Sequence, residues 1–169
     1  MSDDRSTAND RNLLAESAYQ EAWAEIVQTT SAMDRGPYRK FKDKKGRSFS
    51  IYLWRRDLLR VDPIELDQHD TDEMSKGYEY LFAFAAINDV DGLSYGHFAV
   101  YMADNLQTAT EKKLEVDLNS RECAIGFHLY FAVQEFVSEQ GRQYVGTGRD
   151  TVAGQLFGKA ISGRQSPFR

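Results

Sequence analysis

The chain has 169 residues, 41% hydrophobic and 12% aromatic, with a formal net charge of −5. That is enough apolar mass for one sizeable core, and it excludes a disordered chain, a DNA-coating basic protein and a strongly acidic mimic of nucleic acid. The one cysteine, Cys123, excludes an intrachain disulfide framework and a multi-cysteine zinc site, and makes a reducing compartment, the cytoplasm, the expected location.

Residues 1–12 are rich in Ser, Asp, Asn and Arg, so a disordered tail is expected there, followed by a single domain over 13–169. The tail has no apolar h-region, and the longest apolar run, Leu81–Ile87, is too short to span a bilayer, so no targeting or membrane segment is expected. From Leu13 or Leu14 the spacing of Tyr19, Trp23 and Ile26 or Val27 predicts a helix that ends before Gly36 and Pro37. Tyr38–Lys42 and Ser48–Trp54 read as a hairpin turned at Asp43-Lys44-Lys45-Gly46. In its second strand Phe49, Ile51 and Leu53 share one face while Tyr52 and Trp54 share the other, so both faces should be covered. Residues 55–77 read as irregular or partly helical.

Two apolar strands follow, Tyr78–Ile87 and Tyr95–Met102, separated by a turn at residues 88–92. The alternating segment Leu114–Leu118 is a third strand, leading through the polar loop Asn119–Gly126 into a helix. Ile125, Leu129, Val133 and Phe136 or Val137 recur at helical spacing, and Gly141 supplies the stop. Arg142–Gly146 is a short strand, and an amphipathic helix is expected after Asp150. The strand, helix, strand unit from Leu114 to Val145 should form a crossover with parallel strands. The expected class is therefore α/β: one domain with a mixed, mostly antiparallel sheet flanked by helices.

The stretch from Lys112 to Gly141 carries the most chemistry. Free N–H groups at a helix start hold partial positive charge, so the loop before this helix is a candidate anion site for the phosphates of a nucleotide-like cofactor. Glu115 and Asp117 lie on the strand face opposite Leu114, Val116 and Leu118, either turned to solvent or placed to accept a proton. His97 reads as a structural histidine beside Tyr95 or as a base. His128, in the first helical turn, has no assigned function, and Cys123, near the helix start, is a candidate nucleophile without a clear His partner in sequence.

Asp67, His69, Asp70, Asp72 and Glu73 gather oxygen ligands around one imidazole. Their spacing matches neither an EF-hand nor a helical zinc motif, so a solvated acidic loop is expected and no metal. Charge is polarised along the chain. Residues 35–60 carry ten basic and two acidic side chains, and residues 61–91 carry nine acidic side chains and one lysine. Basic groups interleaved with Tyr38, Phe41, Tyr52 and Trp54 suit a phosphate backbone with stacked bases or a coenzyme's 3′-phosphate; alternatively the two segments are neighbours and neutralise each other.

The element order from residue 78 to 161 resembles the GCN5-related N-acetyltransferase family. Family members carry a loop of Arg or Gln, two residues, Gly, one residue, and Gly or Ala before a helix with an early Leu. Here Arg121 and Gly126 match within Ser120-Arg121-Glu122-Cys123-Ala124-Ile125-Gly126, ahead of Leu129, while the first loop glycine is absent. The family's later motif is approached by Asp150, Ala153, Leu156 and Phe157, with Phe157 where a tyrosine often protonates the leaving thiolate. Gly163–Arg169 supplies at most one of the two usual closing strands.

The resemblance implies acetyl-CoA or another acyl-CoA as co-substrate. Arg121 and the backbone of Cys123, Ala124, Ile125, Gly126 and Phe127 would hold its pyrophosphate, and Glu115 or Asp117 would take a proton from an amine acceptor, a small molecule or a protein. Tyr144 and Tyr130 are the candidate acids in place of Phe157. Rival readings are a catalytically inactive interaction or inhibitor module of the same fold, and a nucleic-acid-binding protein using the basic hairpin. A short closing end leaves a sheet edge that a second copy or a partner chain would complete.

Overall fold

The computed structural model describes residues 19–21, 23–27, 31–32 and 36–146. Residues 19–21 and 23–27 are helical and are called α1. The elements that follow are β1 (Ser31–Ala32), β2 (Arg39–Lys42), β3 (Ser48–Asp57), α2 (Gln68–Ser75), β4 (Tyr80–Asn88), β5 (Ser94–Met102), β6 (Thr108–Val116), α3 (Ile125–Glu139) and β7 (Gln143–Val145). One sheet runs in the order β1-β3-β4-β5-β6-β7, with β2 also paired to β3. Every pairing is antiparallel except β6 with β7, which α3 joins in parallel, as the strand, helix, strand unit requires. The α/β class with a mixed, mostly antiparallel sheet flanked by helices is thus the observed one.

The centre of the sheet is covered on both faces, which is why β4 and β5 read as nearly continuous apolar runs. On one face Phe49, Ile51, Leu53, Phe84, Phe98, Val100 and Met102 pack against the α3 stripe of Ile125, Leu129, Val133, Phe136 and Val137. On the other face Ala83 and Ala85 receive Tyr19 and Trp23 of α1, with Trp54 beside them, while Leu58, Tyr78, Leu81, Ala99 and Tyr101 form a second cluster towards α2. Small residues set these distances. At Gly96 a Cβ would stand only 3.0 Å from Ile125 Cγ2 and 3.2 Å from Leu129 Cδ1, so α3 sits directly on the β5 backbone.

Two sequence expectations change. The strand expected at Leu114–Leu118 begins six residues earlier, at Thr108, and ends at Val116. A register shift opposite Ala99/Val100 leaves Lys112 as an extra residue, a bulge that reverses the alternation halfway along β6. Thr110 and Glu115 therefore lie on one face, and Glu111 and Leu114 on the other, so no single period of two runs through the segment. Leu118 belongs to a short 3-10 turn, Leu118–Ser120, and is 61% exposed. Residues 55–77 are more ordered than expected: β3 continues to Asp57, and α2 starts at a capping box in which Asp67 and Asp70 exchange side-chain bonds with each other's amides. The tail 1–12, the helix expected after Asp150 and Phe157 lie outside the described residues.

Candidate functional site

The loop between β6 and α3 is built by one unusual backbone step. Ala124 stands immediately before the helix at φ 69, in the left-handed region, which costs an alanine roughly 1–2 kcal/mol and which glycine would adopt freely. No side chain caps the helix. The His128 amide is the first to return to the loop, bonding Ala124 O at 3.1 Å, while among the described residues no acceptor meets the amides of Ile125 or Gly126. Both residues are buried, Arg121 and Glu122 are exposed, and Ala124 is half-buried. Helix termini ordinarily find partners for such donors in a side chain, water or ligand.

The β2–β3 turn reaches this loop. Lys44 N donates to Cys123 O at 3.1 Å, and Arg47 donates to Ser120 Oγ at 3.1 Å while pairing with Asp43 at 2.7 Å. Burial works to raise the Asp43 carboxyl, but bonds from Arg47 and the Lys45 amide hold it below its usual range. The exposed Lys44 and Lys45 thereby flank the start of α3 together with Arg121. The hairpin and the loop, far apart in sequence, are one surface. Cys123 is buried in this junction. His128 stacks on Phe41 at 4.1 Å between ring centroids, and burial pushes it down to about 4, so it is a neutral packing residue near neutrality.

β7 pairs with β6 only at Thr108–Thr110, so beyond Thr110 that edge of β6 meets no strand among the described residues. Ligands of open α/β sheets bind where neighbouring strands part near their carboxyl ends, and this edge leads from Glu111 to the start of α3. On the α3 side of the edge stand three residues. Glu111, 3% exposed, was not singled out by sequence reasoning because the bulge disguises its strand. Tyr130 and Tyr144 pack edge to face at 5.8 Å between centroids, in the same region as Glu111.

The opposite face holds Glu115. It is the cross-strand partner of His97, is half-buried, and takes Lys113 Nζ at 2.7 Å on Oε1, while Oε2 stands 3.6 Å from His97 Nε2. His97 is completely buried, with Nδ1 3.1 Å from the Tyr19 hydroxyl, itself 2.8 Å from Ser94 Oγ. Burial pushes His97 down to about 4, against the opposing pull of Glu115. Asp117 departs from expectation. Because β6 stops at Val116, it occupies the following turn, 2% exposed, its amide bonded to Tyr95 O and its carbonyl to Ser120 N.

The acidic cluster is not a solvated loop. Asp70 is buried on α2 and accepts from Arg56 at 3.2 Å, Lys112 at 2.6 Å and the Tyr101 hydroxyl; Glu73, also buried, pairs with Lys76 at 3.0 Å. Among the described residues no group of His, Cys, Asp and Glu is arranged to hold a metal ion. The bulge aims Lys112 into this network, which fastens α2 to the sheet. The basic segment is likewise engaged. Arg39 bonds Glu135 at 2.8 Å, Arg47 bonds Asp43 and Arg56 bonds Asp70, while Tyr38 and Phe41 are buried and Trp54 packs on Trp23. Of the aromatics interleaved with this segment Tyr38 and Phe41 are thus part of the core, while Tyr52 and Trp54 are half-buried. No helix of the described residues is long and apolar enough to cross a membrane.

By sequence the chain matches no family model and no curated protein. By structure it is similar to solved acetyltransferases. An aminoglycoside acetyltransferase from an uncultured soil metagenomic sample, in complex with sisomicin, is 16% identical, with 66% of this chain and 87% of that one covered at a TM-score of 0.45. A structure in complex with the bisubstrate analogue CoA-S-monomethyl-acetylneamine is 14% identical, covering 69% and 92% at 0.43. An acetyltransferase of the GNAT family from Staphylococcus aureus is 25% identical, covering 60% and 64% at 0.43. These are partial likenesses of fold to acetyltransferases, at low identity.

Proposed function

We propose that the chain is an acyl-CoA-dependent N-acyltransferase whose coenzyme phosphates occupy the start of α3. The observation that carries this reading is the pair of amides at the buried residues Ile125 and Gly126, which meet no acceptor among the described residues and are set behind a left-handed Ala124 at the end of a strand edge. The backbone from Cys123 to Phe127 would hold the pyrophosphate, with Arg121 beside it, and Lys44 and Lys45 add positive charge for a further phosphate. The acyl arm would run along the β6 edge beyond Thr110, and the acceptor amine would approach from the face that presents Glu115.

In that arrangement the amine nitrogen attacks the thioester carbonyl, a C–N bond forms, and the C–S bond breaks with its electron pair on sulfur. The nitrogen gives up a proton, which Glu115 is placed to take directly or through water. Asp117, buried in the turn after β6, is the second candidate for that proton. Tyr144 and Tyr130, on the α3 side, remain the candidate donors to the thiolate. The acceptor is an amine, small or proteinaceous.

Isothermal titration of acetyl-CoA and free CoA into the full chain tests the reading. Micromolar binding is expected, lost in Gly126→Val and weakened about tenfold in Arg121→Ala, where about 1.4 kcal/mol of charge interaction is removed without disturbing a buried residue. No binding of either ligand by the wild type, with the fold intact by circular dichroism, would sink it and favour an inactive interaction module.

A further inference from the structure

We infer that His97 is a positioning residue for proton transfer at Glu115: its Nε2 lone pair receives the hydrogen bond of the protonated Glu115, while Tyr19 and Ser94 fix the imidazole's tautomer. The identity of the proton's source rests on the acyltransfer reading; the pairing of the two side chains does not.

Placement is the first argument. His97 occupies a position of β5 whose neighbours on the same face are Ala99 and Tyr101, in a strand buried from end to end. An aliphatic side chain would fill the space at no polar cost. Instead an imidazole is buried with its Nε2 bonded to nothing, a state that costs stability and returns none. Among the described residues the charged group that nitrogen meets is Glu115 Oε2, at 3.6 Å.

The second argument is the direction of the hydrogen bonds. Ser94 donates to Gly96 O at 3.3 Å, which leaves its oxygen to accept from the Tyr19 hydroxyl at 2.8 Å. In that order Tyr19 accepts from Nδ1–H at 3.1 Å, the tautomer proposed here, and Nε2 presents a lone pair to Glu115; the opposite order, with Tyr19 donating to Nδ1 and Nε2–H facing Glu115, is the alternative that the tautomer measurement below decides. An ionised carboxylate and a lone pair repel, which accounts for a separation of 3.6 Å in place of a closed bond. Once Glu115 takes a proton, its O–H finds that lone pair waiting, and the pair closes.

The groups facing His97 agree with this. From α1 come the Tyr19 hydroxyl and the Trp23 ring, 5.5 Å away between centroids; from β6 come Glu115 and Lys113; from β4 comes Ala85, which carries no charge. Asp117 acts on Tyr19 from the end of β6. Lys113 holds Glu115 Oε1, so Oε2 is the oxygen that takes the proton. In the transfer itself the amine nitrogen bonds the acyl carbon and releases its proton to Oε2, the pair from the C–S bond leaves on sulfur, sulfur takes a proton from Tyr144 or Tyr130, which water then restores, and Glu115 afterwards returns its proton to solvent.

The test is nuclear magnetic resonance of the full chain, with labelled imidazole nitrogens and glutamate carboxyl carbons, across pH. His97 should show the Nδ1–H tautomer at neutral pH, and its Nε2 signal should move at the same midpoint as the Glu115 carboxyl carbon. In His97→Leu kcat should fall about tenfold, the value of one ordinary hydrogen bond, with KM for acetyl-CoA unchanged. Tyr19→Phe, which keeps the imidazole, should shift the tautomer towards Nε2–H. A wild-type Nε2–H tautomer, or a Nε2 signal indifferent to the Glu115 midpoint, would overturn the inference even if His97→Leu fails to fold. Failure of acetyl-CoA binding is a separate result: it removes the amine as proton source and leaves the coupled titration standing.

Discussion

Two histidines set how the fold responds to acid. Burial pushes both His97 and His128 down to about 4, whereas in the unfolded chain they titrate near the ordinary value of about 6.5. Between those values the unfolded state binds more protons than the folded one, so stability falls as pH drops from about 6.5 to about 4 and levels off below. The full effect is of order 3 kcal/mol for a fully buried imidazole, and less for His128, which is only partly covered. Urea unfolding should therefore show a lower midpoint at pH 5 than at pH 7, and His128→Phe, which keeps a ring against Phe41, should reduce that difference. An unchanged difference in the variant would mean that the Phe41 stack does not exclude the imidazolium. At this scale the sequence was partly legible. Glu115 followed from simple alternation, but Asp117 did not, because the strand ends one residue before it and the chain turns inward. His97 was legible as a structural histidine beside Tyr95 or as a base, but its contact with Tyr19, 78 residues away, was not.

Elements were legible in proportion to how much of their pattern is apolar. The α3 stripe and the two runs that became β4 and β5 declare their periods outright. β6 does not, because a bulge at Lys112 breaks its period and its first half reads Thr-Ala-Thr-Glu-Lys-Lys, whose pairing comes from the backbone. α2 is polar around most of its circumference, and what makes it a helix is the Asp67–Asp70 capping box and the ion pairs of Asp70. The approach of α3 to β5 gives a sharp test. Gly96→Ala places a methyl 3.0 Å from Ile125, 3.2 Å from Leu129 and 3.3 Å from Glu115 O, so the helix or the strand must move. A loss of about 1–3 kcal/mol is expected from chemical denaturation, the usual cost of overpacking a close-packed interior. A neutral substitution would show that α3 can slide, and with it the loop at residues 121–124.

At the scale of the molecule, the sheet joins what the sequence kept apart. The basic and acidic segments of the first half meet where Arg56 bonds Asp70, but Arg39 instead reaches α3 at Glu135, and Lys112 of β6 completes the α2 network. Local neutralisation between adjacent segments was thus only part of the answer, because partners are chosen by the fold and not by proximity along the chain. The same geometry brings Lys44 to the loop that precedes α3, so the two surfaces considered separately for phosphate are a single one.

The brevity of β7 has a consequence for how the molecule comes together and comes apart. β4 pairs with β5 and β5 with β6 through short connections, a local pattern that forms early, whereas β6 and β7 can pair only after the chain has closed around α3. Three residues of parallel ladder are a small return for that closure. Native-state hydrogen exchange should accordingly find the β4 and β5 amides protected up to the global unfolding free energy and the β7 amides opening well below it. Equal protection in β7 would mean that the edge is locked. If exchange runs in that order, the seam where β6 and β7 part is also the seam that opens first, and the protein can breathe at its candidate site without disturbing its core.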